Sequence, residues 1–387
     1  MQTLSQSPTD PCFVQAPYPF YARARAAGPL IRWRDYDMVC ATTHEAVNAI
    51  LRDRRFGRQV PRELRPAIPD HLAAFYDVEA HSMLELEPPR HSRLRSLVLR
   101  AFTSRRIAAL SGGIGRLCQE LIDGFPEGEF DLLETYARPL PVTIIARLLG
   151  VPEEMGPDLM RWSNAMVGMY MAGRTRADED AAVAATEAFA HFMRGYVDAR
   201  RRDPRDDLIT SLIAAEEDGD RLSTDELITT CILLLNAGHE ATVHSLGNGV
   251  KAALEHGQRG GGAALVEEIL RFDPPLHLFT RHVYEEVDLF GHRFRRGDEV
   301  GLMLGSVGRD GAVNDAPDLF DPTRAAATHL AFGAGLHFCV GAPLARMEMA
   351  IALKALFQRC PGLRLVETPR YGDIYHFHGL ERLRVRR

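Results

Sequence analysis

The residues best suited to chemistry lie in one glycine-rich stretch, 332–341, which reads Phe-Gly-Ala-Gly-Leu-His-Phe-Cys-Val-Gly. Its cysteine, Cys339, comes immediately before a helix-like run. Gly333, Gly335 and Gly341 allow backbone conformations and close approaches that a Cβ atom would forbid. The N-terminus of a helix lowers the pKa of a nearby cysteine and favours the thiolate, which is the form that binds metals. The stretch therefore predicts that Cys339 is a metal ligand.

The alternative for Cys339 is a small buried hydrophobic residue, which is the usual fate of an unbridged cysteine. That alternative does not explain three glycines, an aromatic residue and a histidine at fixed spacing around the sulfur. The stretch resembles the haem-ligand loop of the cytochrome P450 monooxygenases at six positions: Phe332, Gly333, Gly335, His337, Cys339 and Gly341. The resemblance implies that Cys339 is the axial haem ligand and that its electron donation favours O–O cleavage.

A second pattern places two basic residues on one face of a helix that begins near residue 87. His91 and Arg95 are four residues apart, so both can donate hydrogen bonds to one anion. Taken alone, the spacing fits a solvated basic face equally well. The His-x-x-x-Arg pattern after two prolines resembles the propionate-binding helix of the same family. The resemblance implies haem-propionate contacts from four residues: His91, Arg95, Arg281 and His337.

A long helix is predicted over about 222–254. Ser223 and Glu226 have the spacing of a capping box, and the centre of the run is apolar nearly all round, so we expect it to be buried. Within it, residues 236–242 read Asn-Ala-Gly-His-Glu-Ala-Thr. A glycine costs a helix about 1 kcal/mol relative to alanine, so we expect a close approach at Gly238.

Residues 236–242 resemble the oxygen-binding kink of the family, whose pattern is Ala-Gly-x-acid-Thr. Glu240 supplies the acid, but Ala241 stands at the position of the threonine. The hydroxyl of Thr242 lies one residue, about 100°, further round the helix. We hypothesise that Glu240 relays protons and that a polar group of the substrate or an ordered water replaces the missing hydroxyl. Asn236, one turn earlier, contacts substrate or this water in the same hypothesis; a bond to the helix backbone is the alternative.

A third pattern pairs Glu268 with Arg271 on the next predicted helix. Such pairs are common on helices and carry little information alone. Upstream of the cysteine loop, however, the pair resembles the Glu-x-x-Arg motif of the family, and Arg324 would complete a Glu–Arg–Arg cluster. The resemblance implies a structural role in bracing the loop, and breaking such a buried pair costs about 3–5 kcal/mol.

Candidate pocket residues come from several separate segments. Residues 56–84 contain three prolines and no clear periodicity, so they predict a long loop, and a loop of that length in a compact domain is usually functional. In the family the equivalent segment covers the substrate pocket. A C-terminal hairpin tip near His376 and His378 is also a candidate, although histidines on a loop are more often solvated. The candidates are Phe75, Tyr76, Met83, Leu84, Leu233, Asn236, Ala237, Leu278, Phe279 and Phe377.

The remaining pattern predicts short elements around these motifs. Residues 30–33 and 38–41 are predicted to pair as a β-hairpin, and a helix follows over about 43–51. Further short strands are expected near 287–291 and 299–304. The helix after the cysteine loop is expected to end near Arg359.

Composition limits the partners. The chain has 387 residues, is 46% hydrophobic and carries a net charge of −6, so no overall basic field favours nucleic acid or an anionic membrane. Its six cysteines are scattered and indicate neither structural zinc nor a disulfide framework. The N-terminus lacks a signal-peptide pattern, and no run of about 18 apolar residues occurs. A soluble, cytoplasmic protein of the bacterial type is therefore expected.

The resemblance implies one mainly α domain over residues 1–387 with a minor β region, the cytochrome P450 fold, in which haem b (iron protoporphyrin IX) is buried between the long helix and the cysteine loop. It also implies insertion of one oxygen atom of O2 into a hydrophobic small molecule, such as a secondary metabolite, terpenoid, steroid or fatty acid. Electrons would come from NAD(P)H through a ferredoxin reductase and a ferredoxin. No nucleic-acid or membrane partner is expected.

Two alternatives remain open at this stage. One is a haem-thiolate enzyme of unconventional chemistry, such as a peroxygenase, an isomerase or an oxidative coupling enzyme. Ala241 favours this alternative, while Glu240 argues against the peroxide-driven type. The other alternative is a haem protein that senses a ligand and catalyses nothing.

Overall fold

A computed structural model describes residues 1–171, 173–217, 219–373 and 377–387. The chain divides into two compact units. The first unit comprises Met1–Leu64, Gly115–Ala137 and Ala241–Arg387, and the second comprises Arg65–Ile114 and Arg138–Glu240. The expectation of a single domain over the whole chain stays a prediction.

The α-helices of the described residues are α1 (Pro11–Gln15), α2 (Tyr18–Ala27), α3 (His44–Arg52), α4 (Ala73–Glu79), α5 (Arg90–Ala101), α6 (Ser104–Ala109), α7 (Ser111–Asp123), α8 (Pro139–Leu149), α9 (Gly156–Val167), α10 (Arg176–Arg202), α11 (Leu208–Ala214), α12 (Thr224–Glu255), α13 (Ala263–Phe272), α14 (Leu304–Val307) and α15 (Ala342–Arg359). The β-strands are β1 (Gln2–Leu4), β2 (Leu30–Trp33), β3 (Met38–Ala41), β4 (Phe56–Gly57), β5 (Glu129–Asp131), β6 (Glu216–Glu217), β7 (Asp220–Arg221), β8 (Phe279–Val283), β9 (Val287–Leu289), β10 (His292–Phe294), β11 (Glu299–Leu302), β12 (Arg364–Leu365) and β13 (Arg384–Arg386). The mainly α composition with a minor β region is confirmed.

The long helix α12 begins where its capping box predicts. The backbone N–H of Ser223 donates to Glu226 Oε2 at 2.9 Å, and the N–H of Glu226 donates to Ser223 Oγ at 3.2 Å. Two N–H groups that no helical carbonyl can reach are thereby satisfied. The close approach expected at Gly238 is also present, since a Cβ atom there would lie 3.1 Å from Ile145 Cδ1 on α8.

The prediction of a continuous loop over 56–84 is wrong, because α4 lies within it. Leu72 and Phe75 are each 2% exposed and bury one face of this short helix. Two alanines at its start favour the helical conformation. The three prolines that suggested a loop all lie before α4, so none of them interrupts the helix. Phe75 is buried on this helix, and its place in the pocket stays a prediction.

The first unit contains a six-stranded sheet in the order β1-β2-β3-β11-β8-β4. Strands β2 and β3 form the predicted antiparallel hairpin, with Leu30 opposite Ala41 and Trp33 opposite Met38. Asp37 closes the turn at φ 48°, a left-handed conformation that aspartate tolerates better than most residues. Strand β11 pairs parallel to β3 and antiparallel to β8. The sheet thereby fixes β8, which carries Arg281.

The C-terminal strands also belong to the first unit. Strand β13 pairs antiparallel to both β12 and β5. Beyond the named strands, Phe377 forms an isolated antiparallel bridge with Leu276. His376, at the tip predicted from sequence, lies outside the described residues.

Helix α15 contains a buried carboxyl group. Glu348 is 2% exposed, and its Oε1 has no hydrogen-bond partner among the described residues. Burial raises the pKa of Glu348 to about 8, because an ionised carboxylate would lose its hydration without gaining a cation. The folded protein therefore keeps a proton that the unfolded chain releases above its ordinary pKa of about 4.5.

The first prediction concerns this proton. The free energy of unfolding should fall as pH rises from about 4.5 to about 8, because the unfolded chain then binds fewer protons than the folded one. Glu348→Gln removes the titrating group, so the variant should gain about 2–4 kcal/mol relative to wild type between pH 5 and pH 8. Urea unfolding at the two pH values measures this gain. The exposed Glu381→Gln is the matched control, and equal pH dependence of all three proteins would contradict the prediction.

Candidate functional site

Cys339 lies in a tight loop that needs its glycines. Gly333 and Gly335 have φ values of 68° and 66°. A Cβ atom on Gly335 would lie 2.4 Å from the carbonyl oxygen of Leu51 at the end of α3. The backbone N–H of Cys339 donates to the carbonyl of Phe332 at 3.0 Å, which folds the loop back on itself. The loop therefore holds its shape through backbone contacts that a side chain at Gly335 would prevent.

The environment of Cys339 differs from that of the buried cysteines. Burial raises the pKa of Cys40 and Cys231 to about 12 and that of Cys118 to about 11, so these three thiols stay protonated. Cys339 is only half-buried and precedes α15, whose N-cap is Gly341. The positive end of the helix dipole favours a thiolate at that place. These surroundings suit a thiolate better than those of the three buried cysteines, and the role of Cys339 as a metal ligand stays a prediction.

The basic residues that the resemblance assigns to the haem propionates are buried or half-buried in their respective units. In the first unit, Arg281 on β8 is 3% exposed and its Nη1 donates to the carbonyl of Thr280 at 2.8 Å, and His337 is half-buried in the cysteine loop. In the second unit, His91 is 1% exposed and Arg95 is half-buried, and both lie on one face of α5. A guanidinium keeps its charge when buried, so it favours a neighbouring anion.

Helix α12 is less completely buried than the sequence predicts. Ala237 is exposed, and Leu233 and Ala241 are half-buried, although much of the helix on either side is buried. These residues are four apart and form one accessible apolar stripe. Glu240 is half-buried beside the stripe, whereas Thr242 is 5% exposed. The Thr242 side chain therefore lies on a buried part of the helix, as its 100° offset predicts.

The Glu–Arg–Arg residues are in direct contact. Glu268 and Arg271 are both fully buried, with Arg271 Nε 2.7 Å from Glu268 Oε2 and Nη2 2.8 Å from Oε1. Arg324 Nε donates to Glu268 Oε2 at 2.7 Å. The remaining Arg271 donors bind the backbone carbonyls of Gly308 at 2.7 Å and Leu319 at 2.9 Å, among others. These bonds offset the large cost of burying the charges.

A second cluster joins α13 to the cysteine loop, and sequence reasoning missed it. Glu267 accepts hydrogen bonds from Arg346 on α15 at 2.6 and 3.0 Å and pairs with His329 at 3.0 Å. Although burial alone would raise it, these bonds lower the pKa of Glu267 to about 2. The Arg346 guanidinium also lies 4.5 Å from the ring centre of Phe332. The adjacent acids Glu267 and Glu268 thus hold two different parts of the chain.

The candidate pocket residues separate into two groups. Leu278 is 7% exposed and packs in a core cluster with Phe13, Tyr21 and Trp33, and its place in a substrate pocket stays a prediction. Its side chain is covered by the N-terminal helices, which no local pattern around 278 could indicate. The others besides Phe75 keep accessible surface: Tyr76, Met83, Leu84, Leu233, Asn236, Ala237, Phe279 and Phe377.

Asn236 does not use the backbone partner that sequence reasoning offered as the alternative to a functional role. Its Nδ2 lies 3.7 Å from Met166 Sδ on α9, and its Oδ1 has no hydrogen-bond partner among the described residues. A sulfur is a weak acceptor, so the amide keeps hydrogen-bonding capacity.

A buried group of Asp273, His277 and His378 in the first unit was also missed. Tyr18 and Tyr371 donate to the two oxygens of Asp273, and Tyr21 bonds His277 Nδ1 at 2.9 Å. The rings of His277 and His378 stack at 4.3 Å, so their in-plane lone pairs do not converge on one ion. Burial lowers the pKa of both histidines well below the usual value. The two histidines are therefore neutral within a buried hydrogen-bonded group, and His378 is not solvated as the sequence suggested.

The second prediction separates the roles of Glu267 and Glu268. Glu268→Gln should destabilise the protein by about 3–5 kcal/mol, because it leaves the guanidinium groups of Arg271 and Arg324 without a buried counter-charge. The matched change Glu267→Gln should cost less, about 1–2 kcal/mol, because Glu267 and Arg346 are 30% and 37% exposed, so water screens their charges and only the pairing with the buried His329 is lost without compensation. Urea unfolding measures both. Equal costs for the two variants would show that the buried cluster has no special structural role.

Known proteins resemble this chain along most of its length. The family model described as "Cytochrome P450" matches residues 263–364. The cytochrome P450 monooxygenase PikC of Streptomyces venezuelae is 38% identical over 92% of this chain and 87% of its own. The polyketide biosynthesis cytochrome P450 PksS of Bacillus subtilis is 34% identical over 95% of this chain and 94% of its own.

Solved structures show the same fold. The crystal structure of P450BioI in complex with an acyl carrier protein bearing hexadec-9Z-enoic acid superposes with a TM-score of 0.90. The two sequences are 32% identical, and the match covers 97% of this chain and 99% of that one. Within the described ranges, none of the helices has the length and apolarity needed to cross a bilayer.

Proposed function

The chain belongs to the cytochrome P450 family and is a haem-thiolate monooxygenase, and on this premise we propose that its substrate is an acyl chain or a polyketide-derived molecule. The observation that carries this proposal is the accessible apolar stripe of Leu233, Ala237 and Ala241 on α12, which offers no charged group to a polar substrate. One relative is named for polyketide biosynthesis, and one similar structure holds a hexadecenoic acid on its carrier protein.

We propose that the cofactor is haem b and that Cys339 is its iron ligand. The donors fit this group, since a thiolate at a helix N-terminus suits iron and buried basic side chains suit carboxylates. By the same resemblance, Arg281, His337, His91 and Arg95 would bind the propionates. When bound, haem supplies the oxidant that transfers one oxygen atom of O2 to the substrate, at the expense of two electrons.

The protein's own residues orient the substrate and supply protons. In this proposal the apolar stripe of α12 holds a carbon chain and excludes water from the reacting carbon. Glu240 holds and releases a proton at its carboxylate, and Asn236 donates to a polar group of the substrate or to water. The electrons come from NAD(P)H through a ferredoxin reductase and a ferredoxin.

Ala241 supports a second candidate function. Without a hydroxyl at this position, an unconventional haem-thiolate reaction such as oxidative coupling also fits the site. Turnover that continues with peroxide and no O2, or without an oxygen atom appearing in the product, would favour this candidate.

Two broader expectations also belong to the proposal. None of the six cysteines, all within the described ranges, forms a disulfide, which supports a reducing compartment such as the cytoplasm. We also propose that residues 1–387 act as one domain, because the similar structure matches over nearly the whole length of both chains.

The third prediction tests the substrate class with the purified ferric protein. Long-chain fatty acids, the same acids on an acyl carrier protein, and macrolactones should shift the iron from low to high spin, because they displace water from it. Ala237→Phe should weaken the binding of such a ligand at least about tenfold by filling the stripe. The exposed Ala181→Phe on α10 is the control and should bind as wild type does.

Three results would contradict the proposal. No spin shift with any acyl or macrolactone ligand would exclude this substrate class. A shift that Ala237→Phe leaves unchanged would place the ligand away from α12. A shift with small polar compounds alone would show that the stripe does not select an apolar chain.

A further inference from the structure

The proton-relay acid Glu240 has a partner on another helix. With the amide of Asn164 on α9 oriented to avoid facing two oxygens, its Nδ2 lies 2.6 Å from Glu240 Oε1 and 3.2 Å from the backbone carbonyl of Met160. Both contacts lie within the second unit. We propose that Asn164 is the positioning residue for Glu240 and fixes the oxygen through which the acid exchanges its proton. This inference rests on the proposed role of Glu240.

The hydrogen bond to the Met160 carbonyl fixes the orientation of the Asn164 amide. Met160 is four residues earlier on the same helix, so the amide is anchored to its own backbone by one N–H. The other N–H of the same amide then donates to Glu240 Oε1 in a fixed direction. A side chain held in this way needs little reordering when it binds, which is the general benefit of preorganisation.

An amide at this position has a particular chemical consequence. It cannot take up or lose a proton near neutral pH, so Oε1 becomes a fixed acceptor and the proton resides on Oε2. Water delivers the proton to Oε2, and the same oxygen releases it, so the carboxylate is regenerated in each cycle. The positive charge of an arginine or lysine partner would stabilise the ionised carboxylate of Glu240 and thereby hinder its reprotonation. The neutral amide orients Glu240 but favours its ionised form less strongly. A residue that must both accept and donate a proton requires such a weak preference.

The surroundings of Glu240 agree with this role. Its side chain is 18% exposed, so water can reach it. A titratable neighbour is His239, whose Nδ1 lies 3.7 Å from the same Oε1 and whose side chain is 4% exposed. Both neighbours lie towards Oε1. In a chain with Ala241 at the position of the usual hydroxyl, this amide and acid are the polar pair that α12 and α9 bring together.

Direct titration of Glu240 in the haem-loaded ferric protein tests the proposal. Infrared difference spectra of wild type minus Glu240→Gln isolate the protonated carboxyl band, and its pH dependence gives the apparent pKa. Asn164→Leu should raise that pKa by about one to two units, because a hydrogen bond to the charged form is lost. Asn164→Asp, which keeps the shape, should raise it further because two carboxyl groups then share a proton.

A double-mutant cycle gives the second readout. The solvent isotope effect on turnover and the yield of product per NAD(P)H should change in Asn164→Leu, but not when Asn164→Leu is added to Glu240→Gln. If Asn164→Leu does not fold, the same measurements on Asn164→Asp test the proposal. An unchanged apparent pKa in the folded variants, or an effect of Asn164→Leu that persists with Gln at 240, overturns the proposal. The infrared titration needs neither substrate nor reductase, so its outcome is distinct from failure of the proposed function.

Discussion

In the proposed haem site, the sulfur of Cys339 stays anionic beside a helix N-terminus, and this constraint shapes the cysteine loop of the first unit. Cys339 meets it because the preceding loop turns through two glycines with positive φ. The turn brings the backbone of Gly335 against the end of α3, where a Cβ atom would lie 2.4 Å from a carbonyl oxygen. The loop is therefore shaped by backbone contacts, which leave no room for a side chain at that residue.

Elements outside the loop hold the segments on either side of it. Two adjacent acids on α13 do this in different ways. Glu268 is fully buried and binds Arg271 and Arg324. Glu267 binds Arg346 on α15, whose guanidinium packs over Phe332 of the cysteine loop. One acid thus stabilises the segment before the loop and the other the helix after it, so that the loop is held from both sides.

The sequence was informative where a local rule determines the outcome. The capping box fixed the start of α12, and the two aspartates between β2 and β3 indicated the hairpin. The cysteine loop and the Glu-x-x-Arg pair were recognisable because each lies within a short span. Helix α4 was missed because prolines outside it obscured a two-residue apolar face. The burial of Leu278 was not foreseen, and Asn164, Arg346 and the Asp273 group were missed, because their surroundings come from residues far away in the chain.

The central claim is that Cys339 is the thiolate ligand of haem iron. The most direct test is the difference spectrum of the reduced protein with and without carbon monoxide, recorded for wild type, Cys339→Ser and the exposed-cysteine control Cys12→Ser. The account predicts the long-wavelength Soret band typical of thiolate ligation in wild type and Cys12→Ser, and its loss in Cys339→Ser. Persistence of the band in Cys339→Ser, or its absence in a haem-loaded wild type, would contradict the account.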